Sequence, residues 1–399
     1  MEPNYNRWVE VHIEALENNL REVRRVISPG ARIIAVVKAD AYGLGAAEMA
    51  HQLAQNEVDF FAVTFLSEAL ELRSNGLEAD VLIFSPLNSD DARTAIEYSC
   101  TITIGSLEDF SAVVEAAGYL NRNARVHIKV DTGLGRFGFI PEDVLDIAQK
   151  INDIPNVTLE GIYTHFSEAG DEKYTRYQFS VFYGLLNDLE KNSIRIPLRH
   201  CCNSAAFLKY PEMHLDGVRL GTILGGQYPG GINPAKLPFI LNLKDPFRFK
   251  ARITALRDIK KGSYIGYGRT YRLRHDASIA IIPVGFADGL GVEASPKPTG
   301  LVDLAKTLAK IIASFFNISL TARVAKIHGK RAYIRGKVFM QFCQVELPPD
   351  LHARPGDEVE LPVRRTMVSG AIPRIYCRGG EPGKVIEQIV KVNYVLGEE

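Results

Sequence analysis

Short continuous apolar runs alternate with longer amphipathic stretches through the first half of the chain. The run at 33–37 is short, continuous and rich in β-branched residues, which predicts a strand buried on both faces, and the runs at 60–65, 81–84, 101–104, 126–130, 161–165, 198–202 and 217–220 are the further candidate strands. Between most of them the apolar positions recur at helical spacing, as at 16–26 and at 67–75, where Ser-Glu-Ala-Leu-Glu-Leu-Arg runs up to Gly76. Eight strand–helix alternations predict a (β/α)₈ barrel over residues 1–243. A doubly wound open sheet is the alternative, because periodicity does not show closure, but eight units favour the barrel. From 244 to 399 the texture changes to strands separated by turn residues, at 247–256, 279–284, 321–326, 331–334 and 358–363, predicting a β-rich second domain. It is interrupted at 300–316, where Leu301, Leu304, Leu308, Ile311, Ile312 and Phe315 predict one amphipathic helix packed on that domain.

Composition narrows the function classes. With 46% hydrophobic and 24% charged residues, the 399-residue chain has the make-up of a soluble globular protein. Lysine plus arginine (47) balance aspartate plus glutamate (47), which removes the cationic surplus that nonspecific nucleic-acid binding requires and mildly favours an oligomer. Five scattered cysteines without a CxxC pair make neither a disulfide scaffold nor a zinc ribbon. The opening residues show no signal pattern and no apolar stretch reaches the length of a bilayer span, so the cytoplasm is the expected compartment.

In a barrel the reactive groups stand just beyond the carboxyl ends of the strands. Those positions hold Lys38 and Tyr42, then Lys129, Asp131 and Arg136, then His165, then His200, Asn203 and Ser204, and finally Arg219 and Gly221. No carboxylate cluster accompanies them, so no metal is expected and the face suits an anion. A phosphate site beside one lysine predicts a Schiff base with a phosphorylated aldehyde. Pyridoxal phosphate held by Lys38 and a sugar-phosphate aldolase both fit that description.

Seven blocks then stand in a telling order: AVVKADAYGLG, VHIKVDTGLGRFGF, THFSEAGD, RHCCNSAA, VRLGT, GYGRTY and VGFADG, followed by HGKRAYIRGKVFM. In sequence and spacing they resemble the alanine racemases, pyridoxal phosphate enzymes built of a barrel followed by a β domain. The resemblance implies that Lys38 is the Schiff-base lysine. Tyr42, Ser204, Gly221 and Thr222 match the phosphate cradle, with Asn203 beside them among the cofactor-binding residues. Arg219 matches the arginine at the pyridine nitrogen, His200 the residue that orients it, and His165 the ring beside the cofactor. Arg136 matches the donor to the cofactor's phenolic oxygen and the substrate carboxylate, and Lys129 a lysine often carbamylated in the family. Tyr267 matches the second catalytic base and Met340 a backbone donor to the substrate. Both reach the site from the other subunit of a homodimer, so the resemblance implies a two-base amino-acid racemase with Lys38 and Tyr267 on opposite faces of Cα.

The pattern departs from the family in places. An insertion of roughly 20 residues carrying the amphipathic helix follows VGFADGL. Phe286 stands at a usual tyrosine, Phe339-Met340-Gln341 at Cys-Met-Asp, and Pro373 at a tyrosine that narrows the substrate entrance, with Arg374 and Tyr376 as candidate replacements. A wider mouth would admit larger amino acids, because a hydrophobic pocket discriminates one methylene by only about 1–3 kcal/mol. Alanine is therefore the first expected substrate, with serine, lysine or arginine as alternatives. A decarboxylase is disfavoured by Arg219, since it would need an acid at the pyridine nitrogen. A non-catalytic pyridoxal phosphate carrier is disfavoured by Tyr267 and the second domain, which it would not need. The plainer alternatives are that Lys129 pairs with Asp131, that GYGRTY is a packed turn, that His165 is a core histidine and that Cys201-Cys202 packs the barrel.

Overall fold

A computed structural model of the chain describes residues 5–292, 300–315, 323–379 and 381–386. It divides into two units, one of Ile13–Pro246 and one of Met1–His12 together with Phe247–Glu399.

In the first unit eight parallel strands close into a barrel: β2 (Arg32–Val36), β3 (Phe60–Val63), β4 (Asp80–Ile83), β5 (Thr101–Ile104), β6 (Ala124–Lys129), β7 (Val157–Tyr163), β8 (Leu198–His200) and β9 (Gly217–Leu220), the strand before them being β1 (Arg7–His12). Closure rests on β2 pairing with β9 through Ile33 and Val218, which settles the choice between barrel and open sheet. Ile34, Val36, Phe60, Ala62, Leu82 and Leu198 form one apolar cluster among the strands. Helices between the strands bury one stripe each; Ile13–Val26, for example, buries Leu16, Leu20 and Val23. Their starts are fixed locally: Ser106 caps Leu107–Leu120 by accepting from Asp109 N, and Asp171 caps Glu172–Lys191 by accepting from Tyr174 N. The barrel also buries His127, Lys129, His200 and Arg219, a polar content that packing alone would not select.

The second unit holds β10 (Phe247–Arg252), β11 (Ala255–Ile259), β12 (Tyr264–Ile265), β13 (Tyr271–Arg272), β14 (Ala277–Ile282), β15 (Val324–Ile327), β16 (Lys330–Arg335), β17 (Cys343–Glu346), β18 (Glu358–Leu361), β19 (Arg374–Arg378) and β20 (Glu381–Ile386). Its main sheet runs in the order β11-β14-β17-β16-β15-β18-β10-β1-β19-β20.

Three expectations change here. The beginning of the chain, assigned by the pattern to the barrel, instead supplies β1 to this sheet, antiparallel to β10 and parallel to β19; Trp8 packs with Ile375 and Cys377. Pairing on both sides with strands far along the chain outweighs sequence neighbourhood. The run 247–256 is two strands, because at Ile253-Thr254 the chain leaves β18, with Thr254 N turning to Ile281 O of β14. The inserted helix, Leu301–Phe315, exists, but Leu304, Leu308, Ile311 and Ile312 of its apolar stripe are 44–60% exposed rather than packed. Periodicity specifies a helix and a stripe, not a partner for it. Residue 316 of that expected helix and residues 321–322 of the expected strand 321–326 lie outside the described residues.

Candidate active site

The chain leaves β2 through Val37 and turns sharply at Lys38. Ala39, Asp40, Ala41 and Tyr42 all have φ between 49° and 59°, a left-handed turn made without glycine. Such residues cost about 1–2 kcal/mol each, and strain of this kind persists only where the surroundings hold it. Glu68 does part of the holding: its carboxylate accepts from Ala39 N at 2.6 Å, Thr64 N at 2.8 Å and Phe65 N at 2.9 Å. Asp40 closes the turn by accepting from Ala46 N at 3.0 Å. The result is a lysine pre-set at the strand's end. Its pKa lies below the ordinary lysine value, first through burial and then through the charge of Arg136.

Lys38 lines a cavity of about 290 Å³ with Tyr42, Arg136, His165, Asn203, Ser204, Arg219, Gly221 and Thr222, so the structure brings these nine expected residues together. Arg219 is fixed by five contacts. Nη1 donates to His200 Nδ1 at 2.8 Å and to His200 O at 3.1 Å. Nη2 reaches Thr164 O at 2.8 Å, Cys201 O at 3.0 Å and His165 Nδ1 at 3.3 Å. Its Nε–H has no acceptor among the described residues and is the donor left for a ligand. Burial, reinforced by Arg219, lowers both His165 and His200 well below the ordinary imidazole range, so both rings are neutral and accept from the guanidinium.

Gly221 N donates to Ser204 Oγ at 3.3 Å. A Cβ at Gly221 would fall 2.5 Å from Tyr42 Cε2 and Oη, so only glycine lets the Tyr42 ring lie there. Asn203 lines the cavity, but its side-chain oxygen is also used as a cap, accepting from Ala205 N and Ala206 N at 3.0 Å each.

Lys129 is 1% exposed on β6. Asp131 does not pair with it. That carboxylate accepts from the N–H groups of Gly133, Leu134 and Gly135, shaping the loop that leads to Arg136. Lys129 Nζ donates to Val130 O at 2.6 Å, and burial, with Arg219 nearby, lowers its pKa to about 7. Lys38, Lys129, Arg136 and Arg219 thus gather without a carboxylate in ion-pair contact with any of them among the described residues. Among the described residues no group of three or more His, Cys, Asp or Glu is placed to hold a metal ion.

Some residues were not anticipated. Tyr163 stacks on His200 at 4.9 Å and 7°, and the Lys129 and Arg219 cations stand 5.5 and 5.1 Å from its ring. Phe84 completes the cavity wall and Glu68 holds the lysine turn. The signal for Tyr163 was parity, since it stands two residues before His165.

Tyr267 and Met340 belong to the second unit. Tyr267 follows Gly266 at the tip of the β12–β13 hairpin, 68% exposed and edge-on to Phe339 at 4.7 Å. Met340 is 61% exposed, and its carbonyl accepts from Ala287 N at 3.0 Å. Phe286, at 47%, is exposed as well. Arg374 and Tyr376 are 2% and 0% exposed inside this unit, so they do not replace a side chain at an entrance. Arg374 instead donates to Ser369 O, Gly370 O and Ile372 O.

Residues 11–229 match the family model for the N-terminal domain of alanine racemase, and residues 247–370 that for its C-terminal domain. The alanine racemase of Methanococcus maripaludis is 35% identical over 355 residues, covering 88% of this chain and 87% of that protein. The alanine racemase of Clostridium tetani is 33% identical over 399 residues, covering 94% and 96%. Among solved structures, alanine racemase from Clostridium difficile 630 is 27% identical with a TM-score of 0.85, covering 98% of this chain and all (100%) of that one. With both domain models matched in order around a lysine-bearing barrel mouth, the chain belongs to the alanine racemase family.

Proposed function

We propose that this protein is a pyridoxal phosphate-dependent racemase of alanine, acting as a cytoplasmic homodimer. The observation that carries the reading is the barrel mouth itself: four basic groups without carboxylate partners, a half-buried lysine that opens a strained turn among them, and one arginine N–H left for a ligand. An anionic, aldehyde-bearing cofactor satisfies all three. Tyr42, Ser204, Gly221 and Thr222 would hold its phosphate, with Asn203 at the same end, Lys38 its aldehyde carbon, His165 its ring face and Arg219 Nε–H its ring nitrogen. When bound, it supplies an electron sink that acidifies the substrate Cα–H.

The protein's own groups then decide the outcome. Arg219 stays cationic and donates, so the ring nitrogen keeps its lone pair; the sink is weakened and side reactions such as transamination are disfavoured. Arg136 takes the substrate carboxylate, helped by the backbone N–H of Met340 of a second copy. Lys38 Nζ, with its pKa lowered by burial and Arg136, takes or returns a proton at one face of Cα. Tyr267 Oη of a second copy serves the opposite face. Lys129 is a buried, readily neutralised amine suited to react with carbon dioxide, and its carbamate would supply Arg136 with an anionic partner.

A larger amino acid is the second reading, favoured by the burial of Arg374 and Tyr376, which leaves the tyrosine missing at Pro373 without a replacement. The deciding experiment incubates the holoenzyme with single L-amino acids in D₂O and follows loss of Cα–H together with chirality. Exchange with inversion, fastest on alanine, is expected. Faster turnover of serine, lysine or arginine would establish the second reading, and cofactor binding without exchange on any amino acid would refute racemisation. Lys38→Ala and Tyr267→Phe, each inactive alone, should recover activity when their subunits are exchanged, since a mixed dimer contains one site with both bases.

A further inference from the structure

Behind Arg219 a line of polar groups runs through the barrel interior to a carboxylate that the reaction, as proposed above, does not use. Arg219 Nη1 donates to His200 Nδ1 at 2.8 Å and His200 Nε2 lies 3.0 Å from His127 Nδ1, while buried His127 Nε2 makes no hydrogen bond among the described residues and faces Glu160 Oε2 at 3.5 Å, an electrostatic contact. The direction of every proton in this line follows from its arginine end, and the carboxylate at the other end favours the same arrangement by its charge. Arginine only donates, so His200 Nδ1 must accept and the proton of His200 sits on Nε2. That proton is donated to His127 Nδ1, which leaves the proton of His127 on Nε2, pointing at the carboxylate.

The backbone is shaped for this line. The β6–β7 register shifts between Val126 and His127: Val126 pairs with Leu159 but His127 with Gly161, so Glu160 is the extra residue of a β-bulge, a feature that re-aims a side chain. Opposite it, a Cβ at Gly161 would fall 2.6–2.7 Å from three atoms of the His127 ring. A bulge and a glycine on adjacent residues thus seat one imidazole. Glu160 Oε2 also accepts from Thr101 Oγ1 at 2.9 Å, and Oε1 lies 3.4 Å from Arg125 Nη1.

We infer that Glu160 and His127 are positioning residues that act on Arg219 from the far side of the barrel, fixing both histidine tautomers so that His200 presents a lone pair to the guanidinium and its Nε–H stays aimed at the cofactor. The inference rests on the proposed function only for what Arg219 faces, and its first test needs no cofactor.

That test is ¹⁵N NMR of histidine-labelled, cofactor-free protein, with His127 and His200 assigned by substitution. Both rings should carry their proton on Nε2. In Glu160→Gln, Arg125 holds the amide oxygen, which turns the NH₂ toward His127. His127 must then accept on Nε2 and donate from Nδ1, and His200 is driven to its Nδ1–H form, donor against donor with Arg219. Pyridoxal phosphate binding, titrated by absorbance, should weaken about tenfold, the scale of one lost hydrogen bond to a charged group. His127→Gln restores the polarity, since its amide can accept from His200 and donate to Glu160; it should hold the cofactor within about threefold of wild type, where His127→Leu loses about tenfold.

His200 protonated on Nδ1 in the wild-type protein would overturn the proposal. So would Glu160→Gln with unchanged tautomers and affinity, which would reduce Glu160 to a structural partner of Arg125. If Glu160→Gln does not fold, the two His127 variants decide: equal affinities refute the relay. Absence of racemisation with these tautomers intact would count against the proposed function and not against this line.

Discussion

Replacing Gly221 by alanine tests whether the cavity is built as described. The new Cβ would fall 2.5 Å from Tyr42 Cε2 and Oη and 2.8 Å from Cζ. Carbon pairs rest at about 3.5–4.0 Å, so the ring must retreat by about 1 Å or more. Its backbone sits in the left-handed turn and has little freedom, so the ring must rotate away from the cavity. Overpacking of this kind costs about 1–3 kcal/mol. Gly221 does not have a left-handed φ, so backbone strain does not add to the effect. Two assays separate the consequences. Apo-protein titrated with pyridoxal phosphate should bind about 10–100-fold more weakly, because the tyrosine proposed to donate to the phosphate is displaced. Urea unfolding of the apo forms of Gly221→Ala, Tyr42→Ala and the double variant should show the steric cost when the Tyr42 ring is present. That cost should vanish, to within about 0.5 kcal/mol, in the Tyr42→Ala background. Additive effects would mean that the Cβ and the ring never meet, and the reasoning would fail.

Other outcomes follow from the same site. Lys129 has its folded pKa lowered to about 7 from an ordinary 10.5 by burial and Arg219, so between those values the unfolded chain binds a proton that the folded one does not. Stability should therefore rise with pH across that window. In CO₂-free buffer Lys129→Met should flatten this rise and stabilise the protein most at and below pH 7; identical pH slopes in the two proteins would exclude the effect. Glu68→Ala removes the acceptor shared by Ala39, Thr64 and Phe65 N–H, at about 1–3 kcal/mol, and should speed hydrogen exchange across Lys38–Gly43 and lower kcat. Unchanged protection there would show that the left-handed turn stands without it.

The cation-rich mouth carries a stability cost that the fold absorbs elsewhere. Four basic groups converge without ion-paired carboxylates, while the carboxylates near the barrel's other polar residues are engaged in pairs, as Asp216 with Arg199 and Asp80 with Arg125. Asp131, the carboxylate beside Lys129 in sequence, is turned into a loop anchor. The mouth is thereby left short of negative charge, which a bound anion would supply.

Much of this was legible in the chain. Buried parallel strands read as short apolar runs, so eight of them could be counted, and side chains just past each run fall at one end of the barrel. That geometry named Lys38, Tyr42, Arg136, His165, Ser204, Arg219 and Gly221 before any coordinates, and the cavity gathers them. What the sequence by itself left open was every relation between residues whose separation is long and whose partner is not marked by period. Closure of the sheet needed the register of β2 on β9. The place of β1 needed two flanking strands, β10 and β19, formed more than two hundred residues later. The line from Glu160 through His127 to His200 needed the bulge at Glu160 and the missing Cβ at Gly161, because a register shift of one residue decides which side chains face inward and leaves no trace in the hydrophobic pattern. The inserted helix shows the same limit from the other side: its periodicity fixed the stripe, and only the tertiary structure could show Leu304, Leu308, Ile311 and Ile312 of it exposed.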